Sequence, residues 1–278
     1  MYPRIELGPL TLYTYGLMVA LGLAVALGLL CLELRRKGLD PSHGLLIALA
    51  VVPSGVVGAK ILFVIEEWDR FVVDPVRMVL SGAGLSFYGG FVLGALALYA
   101  YLRLRGIRFF VFADAAAPGA LLGRGIARLG CHLAGDGDYG LPTALPWGTD
   151  YSRGIYPPSA ALARLPHLTR DFPGGIAPDD LAMHPTGVYE FLISAALFAV
   201  LWRYRQHLRP DGRVFMLYLA ATGAIRFGLE FVALEPPLAL GLTEAQLISC
   251  GLIAIGVVGV WQLKPRPISR LTRRLRTR

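Results

Sequence analysis

The stretch LTLYTYGLMVALGLAVALGLLCLEL, Leu10–Leu34, followed at once by Arg35-Arg36-Lys37, decides the fold class. An apolar run of about 20 residues crosses the hydrocarbon core of a bilayer, and this one exceeds that length before it meets a basic stop. It has no basic leader and no small-residue cleavage site, so it is expected to stay in the mature protein as a span. Six more apolar stretches follow: Gly44–Ile65, Leu85–Leu104, Val111–Leu133, Gly187–Trp202, Val214–Leu234 and Glu244–Leu263. With 55% hydrophobic and 17% charged residues in 278, a water-soluble domain could not hide its apolar surface. The sequence therefore reads as an all-α polytopic membrane protein of seven transmembrane helices.

The basic residues give the orientation. Of 27 Lys and Arg, 17 fall in segments 35–37, 103–108, 203–213 and 264–278, whereas the intervening segments hold Arg4, Arg70, Arg77, Arg153, Arg164 and Arg170. The positive-inside rule then predicts N-out and C-in. The net charge of +8 is placed by the same rule, so the tail Lys264–Arg278 reads as a solvated cytoplasmic end near anionic lipid, and nucleic acid is not an expected partner. Residues 1–263 are expected to form one transmembrane domain. Its longest break, about 134–186, is rich in Asp, Pro and Gly and reads as an extracytoplasmic loop region. A second outer segment, Glu66 to Gly84, carries Trp68, Phe71 and the apolar-basic run Val72–Leu80, which predicts a short amphipathic helix lying in the interface. Cys31, Cys131 and Cys250 lie in three different spans, a spacing that predicts neither a disulfide framework nor a metal site.

Lys60, Arg124, Arg128, Arg226 and Glu230 fall inside or at the ends of spans. A charge there costs at least about 2.5–3.5 kcal/mol and persists only when paired or facing a wet cavity. Arg124 and Arg128 are four apart, as are Arg226 and Glu230, so each pair shares a helix face. Arg128 leads into a Gly-punctuated run, Gly130-Cys131-His132-Leu133-Ala134-Gly135-Asp136-Gly137-Asp138-Tyr139-Gly140. Glycines let backbone N–H groups approach an anion, and an arginine fork beside them suits a phosphate, so an anionic lipid headgroup is the expected ligand. Bland readings stand beside this one: a structural ion pair for Arg226–Glu230, snorkelling for Arg124, a belt residue for Tyr88, a capping residue for His184.

These residues resemble the phosphatidylglycerol–prolipoprotein diacylglyceryl transferases of bacterial inner membranes, and the resemblance covers most of the chain. Tyr15-Gly16 is similar to that family's first-span motif, and Ser86-Phe87-Tyr88-Gly89-Gly90 to its Ser-Phe-His-Gly-Gly. Arg128-Leu129-Gly130, with Gly135-Asp136 and Tyr139-Gly140, resembles the signature Arg-Ile-Gly-Asn-Phe-x-Asn-Gly-Glu-x-x-Gly. His184-Pro185-Thr186 with Tyr189-Glu190, Arg226 with Glu230, and Leu242-Thr243 with Gln246 and Ser249 resemble three further motifs. The resemblance implies transfer of a diacylglyceryl group from phosphatidylglycerol to the lipobox cysteine of a preprolipoprotein signal peptide, without metal or cofactor. It implies that Arg128 and Arg226 bind the lipid phosphate, that Glu230 holds Arg226, and that Tyr15, Tyr88 and Asp136 serve the chemistry. Ser86, Gly89, Cys131, Gly140 and His184 then fall at substrate-binding positions.

The chain departs from the family pattern at particular places. The motif histidine is Tyr88, the two signature asparagines are Cys131 and Ala134, Gly187 replaces the motif glutamine, and one extra residue precedes Tyr139-Gly140. The chain is thus a divergent member by pattern. The proton acceptor stays open among Asp136, His132 and a thiol acidified by the arginines alone, and Tyr88 could serve only to orient substrate. The rivals are a nucleophilic Cys131 aided by His132 and Asp136, a transferase with another acceptor, and a non-catalytic lipid-binding protein.

Overall fold

The computed structural model describes residues 1–8, 10–81, 84–163, 165–170 and 172–263. The basic tail, Arg164 and Asp171 lie outside the described residues. Helices α1 (Thr14–Arg36), α2 (Ser42–Glu66), α3 (Trp68–Val73), α4 (Pro75–Leu80), α5 (Phe87–Leu104), α6 (Phe109–Ala134), α7 (Pro158–Leu162), α8 (Pro166–Thr169), α9 (Thr186–Tyr204), α10 (Arg213–Leu229) and α11 (Glu244–Gln262) follow in order. Among the described residues seven of them, α1, α2, α5, α6, α9, α10 and α11, are long and apolar enough to cross a membrane. These are the seven stretches expected from hydropathy.

The first span starts later than its hydropathy suggests. Leu10–Tyr13 (β2) alternates apolar and polar residues and pairs antiparallel with Arg4–Leu7 (β1), so the helix begins at Thr14. The segment 66–84 forms two short helices instead of one. Asp74 separates them, accepting from the Arg77 N–H as the N-cap of α4, and Pro75 opens the second helix.

The chain divides into two compact units, Met1–Ala26 with the chain from Ala116 on, and Leu27–Ala115. In the first unit, α1 and α6 touch through glycine: a Cβ on Gly123 would sit 2.6 Å from the Gly22 carbonyl oxygen, and one on Gly130 2.9 Å from the Met18 Cβ. Bilayer helices that carry small residues at their crossing gain close backbone packing where hydrophobicity offers no contrast with lipid. The segment 134–186 folds onto its own core of Tyr139, Tyr151, Ala161, Leu162, Ala177 and Met183, with Thr149–Asp150 (β3) paired to Ala182–Met183 (β4). The expected loop region between α6 and α9 is thus packed on a core of its own.

In the second unit α2 meets α5 at Gly58 and Gly89, each directed at the other's carbonyl. Lys60, one of the charges at membrane depth, reaches the Ser81 carbonyl at 2.9 Å and so ties the end of α4 to α2. Glu33 and Asp114, both buried, pair with Arg36 at 2.6 Å and Lys37 at 3.6 Å.

Candidate active site

Helix α6 brings Arg124 and Arg128 to one face, one turn apart, and α9 answers with a single carboxylate. Arg124 Nε donates to Glu190 Oε1 at 2.7 Å, and Arg128 Nε lies 2.8 Å from Glu190 Oε2. Glu190 is 1% exposed, so in a low-dielectric setting it is retained because two guanidiniums neutralise it. α9 comes this close because Gly187 opens it: a Cβ there would meet the Arg128 carbonyl oxygen at 2.5 Å and the His132 Cβ at 3.2 Å. The glycine that departs from the family's glutamine thus has a steric cause. In the sequence Glu190 stands out only as part of the motif Tyr189-Glu190. An acidic residue in an apolar span was its available signal, whereas its partners lie 66 and 62 positions away.

The remaining fork of Arg128 is shared. Nη1 pairs with Asp138 and lies 3.7 Å from the Cys131 thiol. Cys131 is buried, its thiol donates to the Asp136 carboxylate, and Tyr15 at the head of α1 shares the electrostatic neighbourhood of Arg128, Cys131 and Asp136. Burial pushes the Asp136 carboxyl above the ordinary carboxylate range, opposed by the Cys131 hydrogen bond and the Arg128 charge. His132, adjacent to Cys131, turns away from this group and meets the Tyr151 hydroxyl through Nδ1 at 2.8 Å.

Arg226 is held by a second carboxylate. Its Nη2 lies 3.0 Å from Oε2 of Glu230, whose side chain is fully buried, and Glu230 Oε1 accepts from the Thr243 hydroxyl at 2.8 Å. Thr243 is also the N-cap of α11: its hydroxyl accepts from the Gln246 N–H at 3.2 Å while the Gln246 side chain accepts from the Thr243 N–H at 3.1 Å. The Thr-x-x-Gln motif is therefore a capping box whose hydroxyl also fixes the counter-ion of Arg226.

Arg128 and Arg226 line one small cleft together with Gly137, Asp138, Tyr139, Thr186, Leu229, Ala233, Leu234 and Glu235. Gly140, next to Tyr139, allows three segments to converge, since a Cβ would meet the Val232 carbonyl oxygen, and the His184 Cβ and the Thr186 methyl at 2.9 Å each. The glycine run does not leave all its N–H groups for an anion. Gly135, Asp138 and Gly140 donate theirs to the Cys131 carbonyl, the Asp136 carboxylate and the His184 carbonyl. The arginines supply the cleft's cationic donors. His184 is a network residue, with Nδ1 3.1 Å from the Tyr189 hydroxyl, which also accepts from Trp147 at 2.7 Å.

Ser86, Tyr88 and Gly89 belong to the second unit. Ser86 precedes α5 and donates to Glu66 at 3.2 Å, Gly89 takes part in the α2 crossing, and Tyr88 is more than half exposed with its ring edge-on to Phe87.

Residues 4–262 match the family model described as prolipoprotein diacylglyceryl transferase. The chain is similar to proteins named phosphatidylglycerol–prolipoprotein diacylglyceryl transferase. The one from Dehalococcoides mccartyi is 32% identical, with 91% of this chain and 89% of the relative covered. Those from Corynebacterium diphtheriae and Clostridium tetani are each 30% identical, with 93% and 91% of this chain and 91% and 93% of the relatives covered.

Proposed function

The chain belongs to the prolipoprotein diacylglyceryl transferase family, and we propose that it transfers the diacylglyceryl group of phosphatidylglycerol to the lipobox cysteine thiol of a prolipoprotein, the first step of lipoprotein maturation. It is a multi-pass membrane protein, and in this reading it lies in the bacterial inner membrane with the cleft on the outer side. The observation that carries the reading is the cleft: two guanidiniums from different helices, each backed by a buried carboxylate, line one small cavity.

The chemistry asks for such a cleft. The thiol sulfur attacks the glyceryl carbon that carries the phosphate, the carbon–oxygen bond breaks, and its electron pair leaves on glycerol phosphate. Negative charge grows on the leaving group, and Arg128 and Arg226 would stabilise it with donors already oriented by Glu190 and Glu230. The thiol proton must go to a base. Asp136 is the residue we assign, because its raised affinity for a proton and its position beside Arg128 suit that task better than His132, whose Nδ1 is engaged with Tyr151. Tyr15, beside the same group, would orient the substrates.

The test is direct. Purified protein, phosphatidylglycerol and a lipobox peptide are incubated and the peptide is weighed by mass spectrometry. A gain of one diacylglyceryl unit on cysteine with release of glycerol phosphate supports the transfer. Lipid binding with no modified peptide would leave a non-catalytic lipid-binding protein or a different acceptor.

A further inference from the structure

The cleft that holds Arg128 and Arg226 already contains an anion of its own. Asp138 projects into it and pairs with Arg128 Nη1, at the place where the chain carries one residue more than the family signature. We propose that Asp138 is a displaceable counter-ion, its carboxylate covering Arg128 until the phosphate of the lipid takes that position. The proposal rests on reading the cleft as the headgroup site.

Arg128 has two carboxylate partners of different kind. Glu190 is 1% exposed and holds Nε from inside the bundle, so it has nowhere to go. Asp138 has a side chain 44% exposed and meets the guanidinium from the open side. Its main chain, by contrast, is pinned: the N–H donates to Asp136 Oδ1 at 3.2 Å and the carbonyl accepts from the Thr186 hydroxyl at 2.8 Å. Gly137 before it has φ +91°, a conformation that favours glycine, and this turn presents Asp138 to the cleft. The carboxylate can therefore rotate away about its own side-chain bonds while the loop stays in place.

The other charges facing the cleft do not do this. Arg226 is held by Glu230 from within, and Glu235 lines the cleft without a pairing to Arg128. A guanidinium left uncovered in this setting is costly, so a resident carboxylate stabilises the lipid-free cleft. Headgroup binding then becomes an exchange of one anion for another. A phosphate, with more acceptor oxygens and the reach to engage Arg226 as well, wins the exchange, whereas an uncharged diacylglycerol cannot displace the carboxylate. After transfer the returning carboxylate competes with glycerol phosphate and helps it leave.

Binding of glycerol phosphate to the detergent-purified full chain tests this by calorimetry. Asp138→Asn and Asp138→Ala are expected to bind it about two- to five-fold more tightly than the unaltered protein, the scale of a partly exposed ion pair, with KM for phosphatidylglycerol falling by a similar factor. Asp138→Glu, which keeps the competing charge, should stay near the unaltered affinity. If Asp138→Asn and Asp138→Ala bind equally or more weakly while Arg128→Ala loses binding, Asp138 orients Arg128 and the proposal alone fails. If Arg128→Ala binds as the unaltered protein does, the cleft is not the headgroup site and both readings fall.

Discussion

Arg128 and Arg226 are each held so that part of the guanidinium is committed to a buried glutamate while the rest faces the cleft. That division fits a planar, five-donor group and not an ammonium. Arg128→Ala or Arg226→Ala should therefore lower the transfer rate by about 10²–10³, the effect of losing one preorganised donor, and lysine at either position should recover little of it. Normal turnover by an expressed alanine variant would remove that arginine from the headgroup role. Asp136 gives a second, pH-based expectation. A base works deprotonated, and burial raises its affinity for protons, so kcat/KM should fall on acidification at a higher pH than the ordinary aspartate value of about 3.9. Asp136→Asn should abolish that acidic limb and cost about 10²–10⁴ in rate. A limb unchanged in Asp136→Asn would pass the duty to another group. Both arginines are legible in the sequence because charge interrupts apolar runs. What holds them is less so: Glu230 stands four residues from Arg226 on one helix, but Glu190 reaches Arg128 only through the packing of α9 on α6.

Elements matter here chiefly as devices that set one another's side chains. The α11 cap illustrates this, since the Thr243 hydroxyl accepts from Gln246 and donates to Glu230. Thr243→Ala should cost about 0.5–2 kcal/mol in stability for the lost cap and also reduce turnover, because Glu230 loses a donor and Arg226 its orientation. Thr243→Ser should restore both, read as thermal midpoint in detergent and as kcat. A fall in midpoint with full turnover would separate the cap from the arginine. The join of α6 to α9 is the sterner case. Removing Glu190 leaves the mostly buried Arg128 without its inner partner, and Glu190→Ala should destabilise by about 3–5 kcal/mol, the cost typical of breaking a buried pair. The spans themselves were legible, because hydropathy over 20 residues is a strong signal. The pairing of β1 with β2, the break at Asp74-Pro75 and the core of the 134–186 segment are not. Their strands and helices are two to six residues long, too short to show a period, and the segment's core forms from residues such as Tyr139 and Met183 that meet only on folding.

At the scale of the whole molecule the proposed chemistry demands one orientation. Successive spans alternate in direction, so the start of the first span, the end of the fourth, the start of the fifth and the end of the sixth share one membrane face. Those ends carry Tyr15, Arg128, Glu190 and Arg226 respectively. In the sequence the basic clusters lie at the other ends of the odd-numbered spans, with Arg35, Arg36 and Lys37 at the end of the first, Arg103 and Arg105 at the end of the third, and Arg203 with Arg205 at the end of the fifth. We propose that positive-inside insertion puts the arginine cleft outside, the face on which an exported prolipoprotein would present its cysteine. Single cysteines at two exposed positions measure this: Arg153→Cys in the 134–186 segment and Gln206→Cys beyond α9. In intact spheroplasts a membrane-impermeant maleimide should label the first above the level set by the native thiols and reach the second only after lysis. Labelling of position 206 from outside would place the cleft in the cytoplasm, where an exported substrate's cysteine does not arrive, and the transfer reaction would lose its acceptor.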